Sequence, residues 1–262
     1  MTEVAASTPR PKNPWVVTFR PVARPRLSLF CLPYAGGGAN IFQSWPTQLP
    51  PDIEVAAIQL PGRGQRFREP LFRQIDPLCD ALETALLPFL GPTPFALFGH
   101  SMGATIAFEL CRRLRRRVGP MPVHLIVSGR SAPHVVDDDP PIYQLPEAEF
   151  IQKISSQGGT PREVLDNAEL MALLLPILRA DFEVVETWQH VPEPPLDVPI
   201  TALGGHQDDL ALPAEIPGWR EHTNREFSTH LFPGGHFFLH SAAMPVLTVI
   251  AQALSQLRPS GR

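Results

Sequence analysis

The 262-residue sequence predicts an α/β fold, a mostly parallel central sheet flanked by helices. Three observations carry that expectation. Short apolar runs of strand length recur at 27–32, 53–60, 95–98, 123–129, 198–203 and 227–232. Runs of helical period separate several of them at the crossover lengths that parallel strands require. One run, Phe95-Ala96-Leu97-Phe98, passes through Gly99-His100-Ser101-Met102-Gly103 directly into a helical pattern, the strand–turn–helix setting of a Gly-x-Ser-x-Gly turn.

Residues 1–24 are rich in Pro, Arg and Ala with little periodicity, and read as a flexible N-terminal tail ahead of a single domain over 25–262. Leu27-Ser28-Leu29-Phe30-Cys31-Leu32 is a strand ending at Pro33-Tyr34-Ala35-Gly36-Gly37-Gly38. A strand running into glycines suits a phosphate cradle or an oxyanion loop. The phosphate role fails on detail, because neither Gly-Lys-Ser/Thr nor Gly-x-Gly-x-x-Gly with a downstream acid is present. The oxyanion role stands, with the Ala35 and Met102 backbone amides as its two donors.

The strand at 53–60 closes on Pro61-Gly62-Arg63-Gly64, and 74–90 carry helical periodicity through Ile75, Leu78, Cys79, Leu82 and Leu86. The helix after the serine, over 105–117, ends in five arginines within Arg112–Arg117. They read as a solvated helix C-terminus favoured by the macrodipole, or alternatively as a docking face for an acidic partner. His124 lies mid-strand in 123–129 and reads as a packed histidine.

From about 130 to 190 the rhythm breaks into helical pieces at 146–156, 161–170 and 169–188, with Gly158, Gly159 and Pro161 as joints. Such an insertion between strands commonly becomes a lid over a site. Alternation resumes with strands at 198–203 and 227–232 and a helical run at 239–256.

A serine hydroxyl is a weak nucleophile until a base takes its proton and N–H donors face the developing oxyanion. Ser101 is the candidate nucleophile, since Gly99 and Gly103 leave room for strand and helix to pack against its turn. In open parallel sheets ligands lie at the carboxyl ends of the strands. Asp208 and His236 both follow strands there, and the order serine, acid, histidine is that of an α/β-hydrolase triad. His236 is then the general base and Asp208 the group that orients it. Asp209 competes from the same loop. His100, His222, His230 and His240 lie inside the serine turn, in helix-like or strand-like contexts, or past the loop.

Composition bounds the rest. A hydrophobic fraction of 44% suits a globular chain, and the 32 prolines fall largely between the apolar runs, as loop residues do. A net charge of −4 gives no reason to expect nucleic acid or an anionic membrane. No apolar run approaches the roughly 20 residues of a membrane span, and the N-terminus lacks a signal-peptide core. Cys31, Cys79 and Cys111 have no paired or metal-like spacing and read as buried free thiols in a reducing cytoplasm. No metal or dissociable cofactor is expected, and nothing demands more than a monomer.

Phe30-Cys31-Leu32-Pro33-Tyr34-Ala35-Gly36-Gly37, Gln59-Leu60-Pro61-Gly62-Arg63-Gly64, Leu97-Phe98-Gly99-His100-Ser101-Met102-Gly103 and Pro233-Gly234-Gly235-His236-Phe237-Phe238-Leu239 stand in this order. Together they closely resemble the type II thioesterases that accompany modular polyketide synthases and nonribosomal peptide synthetases. The resemblance spans about 25–255 and includes Leu178-Arg179-Ala180-Asp181. It implies an α/β-hydrolase fold with a helical lid, Ser101 as nucleophile, His236 as base, Asp208 as acid, and Ala35 and Met102 as oxyanion donors. It also implies hydrolysis of stalled short acyl groups from the phosphopantetheine arm of acyl or peptidyl carrier proteins, the arm being part of the substrate. Asp209 stands where such proteins often carry proline. A general carboxylesterase or acyltransferase would share the triad, and a non-catalytic hydrolase-fold binding protein is the remote alternative.

Overall fold

The computed structural model describes residues 13–91, 93–136 and 139–255. Its centre is a seven-stranded sheet of order β1-β3-β2-β4-β5-β6-β7. The strands are β1 (Val16–Val17), β2 (Leu27–Leu32), β3 (Ile53–Ile58), β4 (Phe95–His100), β5 (His124–Ser128), β6 (Ile200–Gly205) and β7 (Phe227–Phe232). All neighbours pair in parallel except β1, which lies antiparallel on β3.

Strands β2 to β6 are buried along their whole length, as parallel strands covered on both faces must be. Alternate side chains serve two cores. Phe30, Leu32, Ala56 and Ile58 face helices α1 (Ile75–Leu86) and α2 (Met102–Arg116), through Leu78, Leu82, Ile106 and Leu110. Leu27, Leu29, Cys31, Val55 and Ala57 belong to the other core, with Phe42, Trp45 and the buried residues of the C-terminal helix. All three cysteines are free and buried in these layers. His124 packs within its strand, with Nε2 2.9 Å from Thr201 Oγ1.

The expected N-terminal tail needs correction for its second half. Val16 and Val17 pair with Ile58 and Ala57, and the Trp15 carbonyl accepts from Gln59 N at 2.9 Å, so this segment adds an edge strand. Residues 1–12 lie outside the described residues.

Between β5 and β6 the chain makes α3 (Glu147–Gln157), α4 (Arg162–Leu165) and α5 (Ala168–Glu186), close to the expected helical pieces. Phe150, Ile154, Met171, Leu175 and Leu178 form a small core of their own. Further along α5, Val184 instead joins the main core, and Pro176 sits inside the helix between Leu175 and Leu178. After β7 come α6 (Phe238–Ser241) and α7 (Ala243–Ser255). Among the described residues no helix is long and apolar enough to cross a membrane.

Candidate active site

Strand β4 ends at His100, and Ser101 stands as the residue before α2 with φ 53° and ψ −116°. A non-glycine residue at positive φ is strained by of order 1–3 kcal/mol and persists only where its surroundings impose it. The surroundings are glycines. A Cβ on Gly99 would lie 2.1 Å from the Gly103 carbonyl oxygen, and one on Gly103 would lie 2.2 Å from the Leu32 carbonyl oxygen. With glycine at both positions, β4, β2 and α2 can close tightly around the turn. The Ser101 amide is held by the Ser128 carbonyl at 2.8 Å, and its side chain makes no capping bond to the helix it precedes.

Ser101 lines a cavity of about 750 Å³ at the carboxyl end of the sheet, together with Tyr34, Ala35, Met102, His236 and Phe237. The far wall is built from the insertion, including Ile154, Leu178, Phe182 and Trp188. Of the two proposed oxyanion donors, Ala35 follows β2 and Met102 opens α2. Among the described residues no protein acceptor takes either amide.

His236 reaches the same cavity from the loop after β7. Its Nδ1 is 3.0 Å from Asp208 Oδ2 and 3.1 Å from Oδ1. Asp208 sits in the loop after β6, buried, and its Oδ1 also accepts the Leu210 and Ala211 amides at 2.9 and 3.0 Å. Burial pushes the Asp208 carboxyl up, but the His236 hydrogen bond and charge and the two amides outweigh it and hold it below the usual range. Asp209, the competing acid, is exposed and lines the cavity without meeting His236. The structure thus brings Asp208 and His236 together and sets both Ser101 and His236 on one cavity.

The other histidines have different surroundings. His100 is fully buried with Nδ1 2.9 Å from Ser128 Oγ, and burial, with His236 and His240 nearby, drives it well below its ordinary value. His222 packs against His134 at 2.9 Å between ring nitrogens, and His240 Nε2 lies 3.0 Å from the Tyr34 hydroxyl. His230 lies along β7. Among the described residues no group of three or more His, Cys, Asp or Glu side chains is arranged to hold a metal ion.

The thioesterase domain model matches residues 27–254. The chain belongs to the thioesterase domain family. Linear gramicidin dehydrogenase LgrE of Brevibacillus parabrevis is 43% identical over 92% of this chain and 92% of its own length. Gramicidin S biosynthesis protein GrsT of Aneurinibacillus migulanus is 42% identical over 92% and 94%. Among solved structures, the type II thioesterase BorB from the borrelidin biosynthetic cluster superposes with a TM-score of 0.83 at 37% identity, covering 92% of this chain and 97% of that one.

The arginine-rich end of α2 is paired within the protein. Arg112, Arg115 and Arg116 converge on Glu193, at 2.7, 2.5 and 2.8 Å, while Arg113 and Arg117 pair with Asp80 on α1. Arg112, Arg115 and Arg116 strap the connection from the insertion to β6 onto the helix that follows Ser101, and Arg113 and Arg117 tie that helix to α1.

Sequence reasoning assigned no role to Arg63 and Asp181, which meet beside the Ala35 loop. A signal was present. Leu174, Leu178 and Val185 follow helical spacing on α5, and Asp181 interrupts that apolar stripe with a charge.

Proposed function

We propose that this thioesterase hydrolyses acyl groups carried on the phosphopantetheine arm of acyl or peptidyl carrier proteins of a modular synthase, clearing aberrant or stalled short chains. The observation that carries it is Ser101, held at positive φ at the start of α2, on the cavity that His236 also lines with Asp208 behind it. The biosynthetic relatives, named for gramicidin S and borrelidin, support the carrier-bound substrate.

Ser101 Oγ attacks the thioester carbonyl while His236 Nε2 takes its proton, and Asp208 on Nδ1 fixes the tautomer and stabilises the imidazolium. The carbonyl oxygen becomes an oxyanion facing the Ala35 and Met102 amides, each such donor being worth roughly 3–4 kcal/mol in the transition state. Collapse breaks the C–S bond, and the imidazolium proton goes to the departing sulfur, releasing the free arm. Water then attacks the acyl–serine ester with His236 as base, giving the carboxylic acid and restoring Ser101. Every step falls to side chains and backbone amides, so no dissociable cofactor is required. The helical insertion acts as the lid under which the arm enters. A cytoplasmic location fits the three buried free cysteines.

The test is hydrolysis of acetyl- and propionyl-phosphopantetheinyl carrier protein by wild type and Ser101→Ala, beside matched oxyesters. Turnover of the carrier thioesters that falls by about 10⁴-fold or more in the variant is expected. Faster turnover of the oxyesters would make the protein a general esterase.

A further inference from the structure

Two quoted motifs have no part in these steps, Gln59-Leu60-Pro61-Gly62-Arg63-Gly64 and Leu178-Arg179-Ala180-Asp181. They meet at the loop that presents Ala35. Arg63 is buried, and each of its three guanidinium nitrogens donates a hydrogen bond. Nε donates to the Gly37 carbonyl at 2.9 Å, Nη1 to the Pro61 carbonyl at 2.8 Å, and Nη2 to Asp181 Oδ2. The same Asp181 oxygen accepts the Gly36 amide at 2.7 Å. Gln59 Oε1 takes the Ala39 amide at 2.8 Å on the loop's far side. Burial lowers Arg63 to about 9, which leaves it charged at neutral pH, so the pair with Asp181 is ionic.

The loop conformation explains why a carboxylate belongs there. The Gly37 amide bonds the Tyr34 carbonyl at 2.9 Å, closing a four-residue turn whose third residue, Gly36, has φ +76°. That combination is a type II turn, in which the central peptide is reversed relative to type I. Asp181 accepts the N–H of that central peptide. Reversal would turn the Ala35 carbonyl toward the carboxylate and forfeit the bond. The preceding peptide is planar and trans with its Tyr34 carbonyl on Gly37, so its Ala35 N–H points the opposite way, and Asp181, by anchoring the adjoining central peptide to α5, fixes where that N–H stands. Packing comes from the same helix, since a Cβ on Gly36 would lie 2.6 Å from Leu178 Cδ2.

We propose that Asp181, held by Arg63, is a positioning residue that fixes the turn presenting the Ala35 amide, making helix α5 of the insertion part of the oxyanion site. The proposal rests on Ala35 being an oxyanion donor, as the proposed function has it. It assigns the insertion a second task beyond covering the cavity, since the helix that walls the acyl group also sets one of the donors that stabilise its tetrahedral state.

The experiment compares wild type, Asp181→Asn, Asp181→Leu and Arg63→Lys in kcat and KM for a propionyl thioester, in inhibition by a short aliphatic boronic acid, and in thermal midpoint. The boronic acid forms a tetrahedral adduct on Ser101 and so reads the oxyanion donors without turnover. Complete loss of one donor costs about 10²–10³-fold, and a misplaced donor costs less. Asp181→Leu is therefore expected to lose about tenfold or more in kcat per folded molecule, with KM within threefold and boronic acid affinity falling in parallel. Asp181→Asn and Arg63→Lys should fall between it and wild type, and they carry the test should the leucine variant not fold. A kcat and boronic acid affinity within twofold of wild type would overturn the proposal. So would a loss of kcat with unchanged boronic acid affinity, or one that only follows the folded fraction. Wild type inert toward thioesters would instead defeat the functional reading, whereas an active wild type with indifferent Asp181 variants would defeat this inference alone.

Discussion

Two buried carboxylates stand behind the residues that line the cavity, and each faces a basic side chain. Asp208 meets His236 and two amides of its own loop, all at the carboxyl ends of adjacent parallel strands. Asp181 meets Arg63 and the Gly36 amide, and so joins the helical insertion to the loop after β2. The chemistry of the partner separates their tasks. Imidazole gains and loses a proton near neutral pH and can move one during a reaction, whereas a guanidinium keeps its charge and can only hold a geometry. One node is suited to proton transfer and the other to position.

The sharpest way to test that contrast is Asp208→Asn. It keeps the shape but favours the wrong imidazole tautomer, and kcat should fall by about 10⁴-fold with little change in KM. Single-turnover kinetics on a carrier thioester would show it, and a loss no larger than that of Asp181→Asn would erase the distinction.

Stability should reverse the ranking. Arg63→Met strands the buried Asp181 charge and should cost about 3–5 kcal/mol in urea unfolding. Adding Asp181→Leu removes the stranded charge and should recover most of that stability while kcat stays low. Recovery of both together would mean that the pair serves folding alone.

Acid separates the groups again. His124 is lowered to about 4 by burial and is neutral in the folded protein, whereas its unfolded value is near 6.5. Between those values the unfolded chain binds the extra proton, so stability falls as pH drops from about 6.5 to 4, by up to about 3 kcal/mol. Asp208 has the opposite sign of charge and a lowered value, so its contribution holds above the ordinary carboxylate range and is lost only at lower pH. Urea midpoints from pH 7 to 4 should therefore decline less in His124→Gln than in wild type, and Asp208→Asn should not change that slope.

The smallest effects belong to the arginine strap. Glu193, Arg115 and Arg116 are partly exposed, and the buried Arg112 keeps Glu109 as a partner at 2.6 Å, so Glu193→Gln should cost within about 1 kcal/mol. Because Arg115 and Arg116 are already engaged, Arg115→Glu with Arg116→Glu should leave KM for a carrier-bound thioester and for a small pantetheine thioester changed to the same extent. A selective rise for the carrier-bound substrate would restore the docking role.

Local order was legible because it is written in short-range pattern. Apolar runs marked β2 to β7, and Gly99 and Gly103 around Ser101 announced a turn that only small residues permit. His236 and Asp208 could be named because a parallel sheet delivers every post-strand loop to the same edge. The two-residue β1 was missed, since a strand so short has no period to read and exists only through its pairing with β3.

What the sequence alone determined was the layered fold, the serine turn and the set of loops that share one edge, each following from residue spacing and backbone sterics. The pairing of His236 with Asp208 and not Asp209, the paired state of the arginines, and the meeting of Arg63 with Asp181 across 118 positions were decided only by tertiary structure. A charge's role depends on what lies beside it after burial, and that neighbour is set by packing rather than by position along the chain.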